Sequence, residues 1–301
     1  MPYTLTPHIQ RITGLTLALG ECPTWDAKQQ QLWCIDSRAG KIHSFNLLTK
    51  AIHTLAVPAP AGSFVLNHDG NLIVALKEEI ALLQPTTGQL RTLAQLNISH
   101  PNLRFNDGAV MPDGSYVVGS MHIFRPEGEA PLGGLYRFTT MGQLQLIAND
   151  LAVVNGPCTS PVNQHLYVCD SAAKRIYSFA VDRNGALSDR AVFADTTELA
   201  SAPDGCCFDS EGGLWTALVH AAALVRYDTA GKVTHRIELP VAHPASLCFG
   251  GANLDVLYVT TISDSGRLKA EGPLDGGILQ LTGTGFRGTP RPLAQIRLLG
   301  V

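Results

Sequence analysis

Charge is scarce in this sequence. Asp, Glu, Lys and Arg make up 16% of its 301 residues, the net charge is −3, and no run of Lys or Arg occurs. That excludes an electrostatic groove for nucleic acid. Long hydrophobic runs are missing too: stretches such as Ala221 to Val225 fall far short of the ~20 residues that span a bilayer, so no membrane partner is expected. Met1 to Gln10 lacks the basic start and apolar stretch of a secretory signal. There is no Cys-x-x-Cys pair among the seven cysteines, Cys22, Cys34, Cys158, Cys169, Cys206, Cys207 and Cys248. Most stand inside apolar runs such as Leu32-Trp33-Cys34-Ile35, so buried reduced thiols and a cytoplasmic location are expected. The absence of a Gly-x-Ser-x-Gly elbow disfavours a serine esterase. No long segment carries helical periodicity.

What is present is a repeat. Hydrophobic residues reach 45%, and 29 Gly and 18 Pro are spread along the chain, which suits a large core cut by many turns. A small or polar start leads to a turn rich in Asp, Pro or Gly, then to a short aromatic-bearing strand, a second turn and another strand. The starts fall at Gly20-Glu21, Ala61-Gly62-Ser63, Asn106-Asp107-Gly108, Asn155-Gly156, Pro203-Asp204-Gly205 and Pro244-Ala245-Ser246. Their spacing of about 40 to 50 residues is that of a four-stranded propeller blade. The expectation is an all-β fold, a six-bladed β-propeller with four-stranded blades, as a single domain over residues 1–301.

In a propeller the first strand of each blade lines the central channel, so equivalent residues form a ring. Glu21, Asn106, Asn155 and Asp204 hold equivalent places, with Ser63 and Ser246 in the remaining two units. Buried carboxylates brought together need a proton or a cation. An all-oxygen donor set suits one divalent ion: Ca²⁺, Mg²⁺ or Mn²⁺, with Zn²⁺ or Fe²⁺ as alternatives. Taken singly, Asn155-Gly156 and Asp204-Gly205 read as ordinary turns. Asp69-Gly70 and Asp113-Gly114 read as hairpin turns, and Asp36 and Asp170, each closing a strand, read as structural.

At these residues the chain resembles the regucalcin/gluconolactonase family (senescence marker protein-like sugar lactonases). The resemblance runs from about Thr16 to about Leu281. It is carried by residues 19–26 (LGECPTWD), Arg104-Phe105-Asn106-Asp107-Gly108, Gly119-Ser120-Met121, Asn155-Gly156, Pro203-Asp204-Gly205, residues 213–218 (GLWTAL) and residues 254–261 (LDVLYVTT). The resemblance implies that Glu21, Asn155 and Asp204 are metal ligands, that Arg104 and Asn106 hold the substrate, and that Asp204 is also the general base. It implies hydrolysis of an aldonolactone, such as gluconolactone, xylonolactone or arabinonolactone, by a monomer or weak homodimer. The family's acidic residues after the Gly-Thr-Met stretch are missing, since no carboxylate follows Gly119-Ser120-Met121 before Glu127. His122 is read as a solvated loop residue, and so is His220. Two other readings stay open: a metal-dependent hydrolase of phosphotriesters or aryl esters, and a non-catalytic metal-binding or protein-binding propeller.

Overall fold

The computed structural model describes residues 2–297; residue 1 and residues 298–301 of the expected 1–301 span lie outside the described residues. Among the described residues there are 25 strands, one 3-10 turn at Thr197–Leu199 and no α-helix. The strands form six sheets arranged as the blades of a β-propeller. The strands nearest the axis are Gly20–Asp26, Ser63–Leu66, Leu103–Val110, Val154–Thr159, Pro203–Phe208 and Pro244–Gly250. Each holds residues of one of the repeat starts, and the next strands of each blade follow it outward by antiparallel pairing.

Alternation of side chains along each strand feeds two interfaces at once. In Gln31–Asp36, Trp33 and Ile35 pack with Phe64, Leu72 and Val74 of the second blade. Leu32 and Cys34 point the other way, to Cys248, Tyr258 and Ile278 of the sixth. Four further clusters of this kind join neighbouring blades around the ring. Because both faces of the middle strands are covered, they read as near-continuous apolar runs. The outer strands alternate or are exposed, as in Ile52–Ala56.

The expected hairpins and structural acids are where the sequence put them. Gly70 and Gly114 sit at positive φ in the turns after the inner strands of blades two and three. Asp36 accepts the backbone N–H groups of Ala18 and Leu19, and Asp170 accepts those of Ala152 and Val153, at matching places in blades one and four. The seven cysteines are free thiols, six of them buried.

The chain start departs from the repeat. His8–Arg11 pairs antiparallel with Ile278–Thr282 and supplies the outer strand of blade six. Tyr3–Leu5 then adds to Val233–Glu238 in parallel, giving blade five a fifth strand. Neither segment carries the Asp or Gly turn of the repeat, because it completes blades begun elsewhere.

Asn155-Gly156 and Asp204-Gly205 are not turns. Both lie inside inner strands, and their glycines are there for close approach. A Cβ on Gly156 would meet Asp204 O at 2.6 Å and Cys206 N at 2.8 Å, and its φ is +54°. One on Gly205 would meet Ser246 Oγ at 2.1 Å. By contrast, Gly70 (φ +84°) has open space around a new Cβ. Gly70→Ala is therefore expected to cost about 1–2 kcal/mol from backbone strain alone. Gly156→Ala adds a backbone collision and is expected to cost about 3 kcal/mol or more. Denaturant midpoints of the two variants check this; equal losses would remove the packing argument.

Candidate active site at the channel mouth

Five inner strands carry one residue more than their partner strand can pair. Cys22 and Pro23 stand opposite Cys34, Asn106 and Asp107 opposite Gly119, Gly156 and Pro157 opposite Val168, and Asp204 and Gly205 opposite Ala217. In blade six the surplus residue is Ala245. Such bulges re-aim side chains. Here they fall at or beside Glu21, Asn106, Asn155 and Asp204. Ser63–Leu66 pairs without a shift, and the Ser63 hydroxyl is occupied within the protein, donating to Asn106 O at 2.7 Å and accepting from the Tyr116 hydroxyl at 2.6 Å.

Three of the residues expected at the site, Arg104, Asn106 and Asn155, are joined in a chain of contacts. Arg104 lies buried in its strand. Its Nη1 donates to Phe105 O at 2.9 Å and to Asn106 Oδ1 at 2.8 Å. Asn106 Nδ2 donates to Val154 O at 2.9 Å and to Asn155 Oδ1 at 2.5 Å. Asn155 Nδ2 donates to Ser171 Oγ at 2.9 Å, and that hydroxyl donates to Pro203 O at 2.6 Å. The network thus runs from blade three through blade four to the residue before Asp204. Asn106 uses both ends of its amide inside the protein, which makes it an organiser of Arg104 and Asn155.

The carboxylates are treated differently. Glu21 Oε2 and Asp204 Oδ1 are buried and have no hydrogen-bond partner among the described residues. Glu21 is held well above the ordinary carboxylate range by burial first, then by the charges of Asp204 and Asp107, with Arg104 opposing. Asp204 is raised by burial and by Asp107, against the Gly205 N–H and Arg104. Arg104 is itself lowered to about 10 by burial, despite Glu21 and Asp204. Two buried carboxylates facing one guanidinium are over-supplied with negative charge.

Asp107 was not read from the sequence as a site residue. It is buried, and its carboxylate accepts N–H bonds from Gly108 at 2.8 Å and Gly156 at 3.0 Å. It fastens the bulges of blades three and four and adds its charge beneath Glu21 and Asp204. The signal was present in Asn106-Asp107-Gly108, but a carboxylate satisfied by two backbone amides looks like a turn residue in sequence.

His122 is corrected by the structure. It is the last residue of Tyr116–His122, buried, and paired in register with Leu103, because strand pairing continues past Met121. Its ring packs edge-on against His100, both ring nitrogens lack a partner, and burial followed by the His100 charge lowers its pKa. His220 lies exposed in a turn, as expected.

Among the described residues no three His, Cys, Asp or Glu side chains form a ready metal cage. The donors gathered here are instead two carboxylates and an amide. Glu21 Oε2 and Asp204 Oδ1 offer lone pairs that meet no N–H, and the Asn155 oxygen has a second lone pair beyond the one used by Asn106. These residues could hold one oxygen-preferring divalent cation.

A pH effect follows for the protein without divalent ions. Both carboxyls are raised in the fold, so the folded state holds protons that the unfolded chain releases above the ordinary carboxylate range near 4.5 and 3.8. Stability is therefore greatest at the acid end and falls as pH rises through the folded values. In chelator-treated protein, Glu21→Gln and Asp204→Asn are expected to raise Tm by a few degrees at pH 8, with the gain shrinking toward pH 5. A Tm loss at pH 8 would contradict the repulsion.

Comparison with known proteins agrees with this fold and chain order. Residues 19–263 match the family model described as the SMP-30/Gluconolactonase/LRE-like region. The chain is 31% identical over 278 residues to regucalcin of Gallus gallus, covering 90% of this chain and 93% of that protein. It is 33% identical over 262 residues to 6-deoxy-6-sulfogluconolactonase of Pseudomonas putida, covering 86% and 89%. The crystal structure of regucalcin from Agrobacterium tumefaciens, described as a calcium-binding protein, superposes with a TM-score of 0.89 at 25% identity, covering 98% of this chain and 99% of that one. The six blades, the ordered motifs and the matched span together make this chain a member of the SMP-30/gluconolactonase/LRE-like family.

Proposed function

We propose that the protein hydrolyses a sugar lactone at the channel mouth, as one domain spanning the six blades. The observation that carries this reading is the pair of partnerless buried oxygens, Glu21 Oε2 and Asp204 Oδ1, in the field of the Arg104 guanidinium. The names of the relatives agree: one is a sulfogluconolactonase and one solved neighbour is called a gluconolactonase. Glu21, Asn155 and Asp204 would hold one divalent ion, and calcium is favoured by the description of the Agrobacterium regucalcin as calcium-binding. When bound, such an ion polarises the lactone carbonyl and stabilises negative charge developing on its oxygen.

The protein's own groups supply the rest. Arg104 spends Nη1 on Phe105 and Asn106, and among the described residues its Nε and Nη2 have no partner. Those donors are available for the ring oxygen and hydroxyls of a sugar, in a planar arrangement that Lys cannot copy. Asn106 keeps that guanidinium in place. Asp204 acts as the general base: water adds to the carbonyl carbon as its proton passes to Asp204, the C–O bond to the ring oxygen breaks, and Asp204 returns that proton to the ring oxygen, which leaves as a hydroxyl. Burial and the Asp107 charge raise the basicity of this carboxylate, a cation held beside it would lower that basicity, and the oxygen left free of the ion is the one that would take the proton.

The preferred lactone among gluconolactone, xylonolactone and arabinonolactone depends on the stretch after Met121, where this chain has His122, Ile123 and Phe124. Chelator-stripped protein is expected to lose acid release from such lactones above the spontaneous rate, and one divalent ion should restore it. Glu21→Ala and Asp204→Ala should each lose about 100-fold or more in kcat. Turnover that persists without metal, or in both variants, would overturn the reading. Arg104→Ala is expected to lower kcat/KM by about 10- to 100-fold, consistent with loss of charge-assisted hydrogen bonds, while metal binding by calorimetry is retained. Arg104→Lys should recover little of the loss; full recovery would leave only a charge requirement.

A further inference from the structure

A cavity of about 350 Å³ opens at the opposite end of the channel, and none of Glu21, Arg104, Asn106, Asn155 and Asp204 lines it. Its walls are the later halves of the inner strands, including Trp25, Phe64, Val110, Phe208 and Phe249. Its cover is the segment 289–293, which crosses this face of the ring. That segment is anchored on both sides: Gly288 N donates to Leu254 O at 2.8 Å, and Ala294 N donates to Leu66 O at 2.9 Å. Pro290 and Pro292 flank Arg291 and restrict the backbone on either side of it.

Arg291 is the sole charged residue of the lining. Its one protein hydrogen bond is a long contact from Nη1 to Pro23 O, 3.4 Å. Among the described residues no carboxylate lies within ion-pair distance of it. The thiols nearest in its field, Cys248, Cys207, Cys22 and Cys158, are all pushed up by burial, Cys248 to about 11 and Cys22 to about 12, so they supply no negative charge near neutrality. Asp107 lies deeper, already bonded to two backbone amides. An exposed guanidinium with no carboxylate in ion-pair contact and only the more distant charge of Asp107 in its field, beside an aromatic and proline wall, is a recognition element for an anionic head on an apolar body.

We propose that this rear cavity is a second binding site, for a small apolar monocarboxylate whose head pairs with Arg291 and whose body lies against Trp25, Phe208 and Phe249. At the roughly 30 Å³ that a water-sized group occupies, the cavity holds about ten non-hydrogen atoms. Octanoate has that size, so it is the probe.

Isothermal titration of the full-length protein with octanoate is expected to give saturable binding at one site, with a change in Trp25 fluorescence. Octanol, which keeps the body and lacks the charge, should bind at least about tenfold more weakly, and Arg291→Gln should weaken octanoate by about 10- to 100-fold. Ala109→Trp, which fills the cavity from the wall, should abolish binding with Arg291 intact. Glu21→Gln should leave octanoate binding unchanged, which separates this site from the channel mouth. No saturable binding below the micelle limit would overturn the proposal. So would equal affinity for octanol, or an unaltered affinity in a folded Arg291→Gln protein.

Discussion

One surplus residue in each of five inner strands shapes the centre of this molecule. A regular strand would send successive side chains to the two neighbouring blades and none to the axis. The bulges interrupt that alternation where Glu21, Asn106, Asn155 and Asp204 stand, and strands beyond the bulge resume their packing. In two of these bulges glycine is required, at Gly156 and Gly205, because adjacent inner strands come within a Cβ of one another. The site and the tight hub of the ring are consequences of the same local irregularity. Blade two, which lacks the surplus, contributes only a hydroxyl that braces Asn106.

The two ends of the channel are chemically opposed. One mouth gathers Glu21 and Asp204 around Arg104, with the Asn106–Asn155 amide chain as its frame. The other is apolar with a single guanidinium, roofed by the segment 289–293. Asp107 lies between them, its charge held by two backbone donors and felt by Glu21 and Asp204. Buried uncharged thiols fill much of the remaining interior, where small polarizable groups pack without adding charge.

The ring was legible because the blade repeat leaves the same marks each time: an aromatic strand and an Asp or Gly turn. The candidate site was legible for the same reason, since repeat position alone aligned Glu21 with Asp204 across most of the chain. Tyr3–Leu5 and His8–Arg11 escaped because a strand that completes a distant blade needs no turn signal of its own. Asn155-Gly156 looked like a turn because sequence does not distinguish a glycine chosen for positive φ from one chosen for contact. Asp107 and Arg291 depend on partners contributed by other blades, and His122 on how far a ladder extends, none of which is local information.

The seam in blade six has a consequence for how the molecule comes into being. His8–Arg11 is made long before its partner Ile278–Thr282, with the strands of the other five blades emerging between them. Over that interval the ring has a missing outer strand at one side and an unpaired strand at the other. Five blades can stack in order as they emerge, but the circle closes only when these two segments find each other. Until then both open edges offer unpaired backbone groups to other chains. The nascent protein is thus most exposed to mispairing just before Ile278–Thr282 appears.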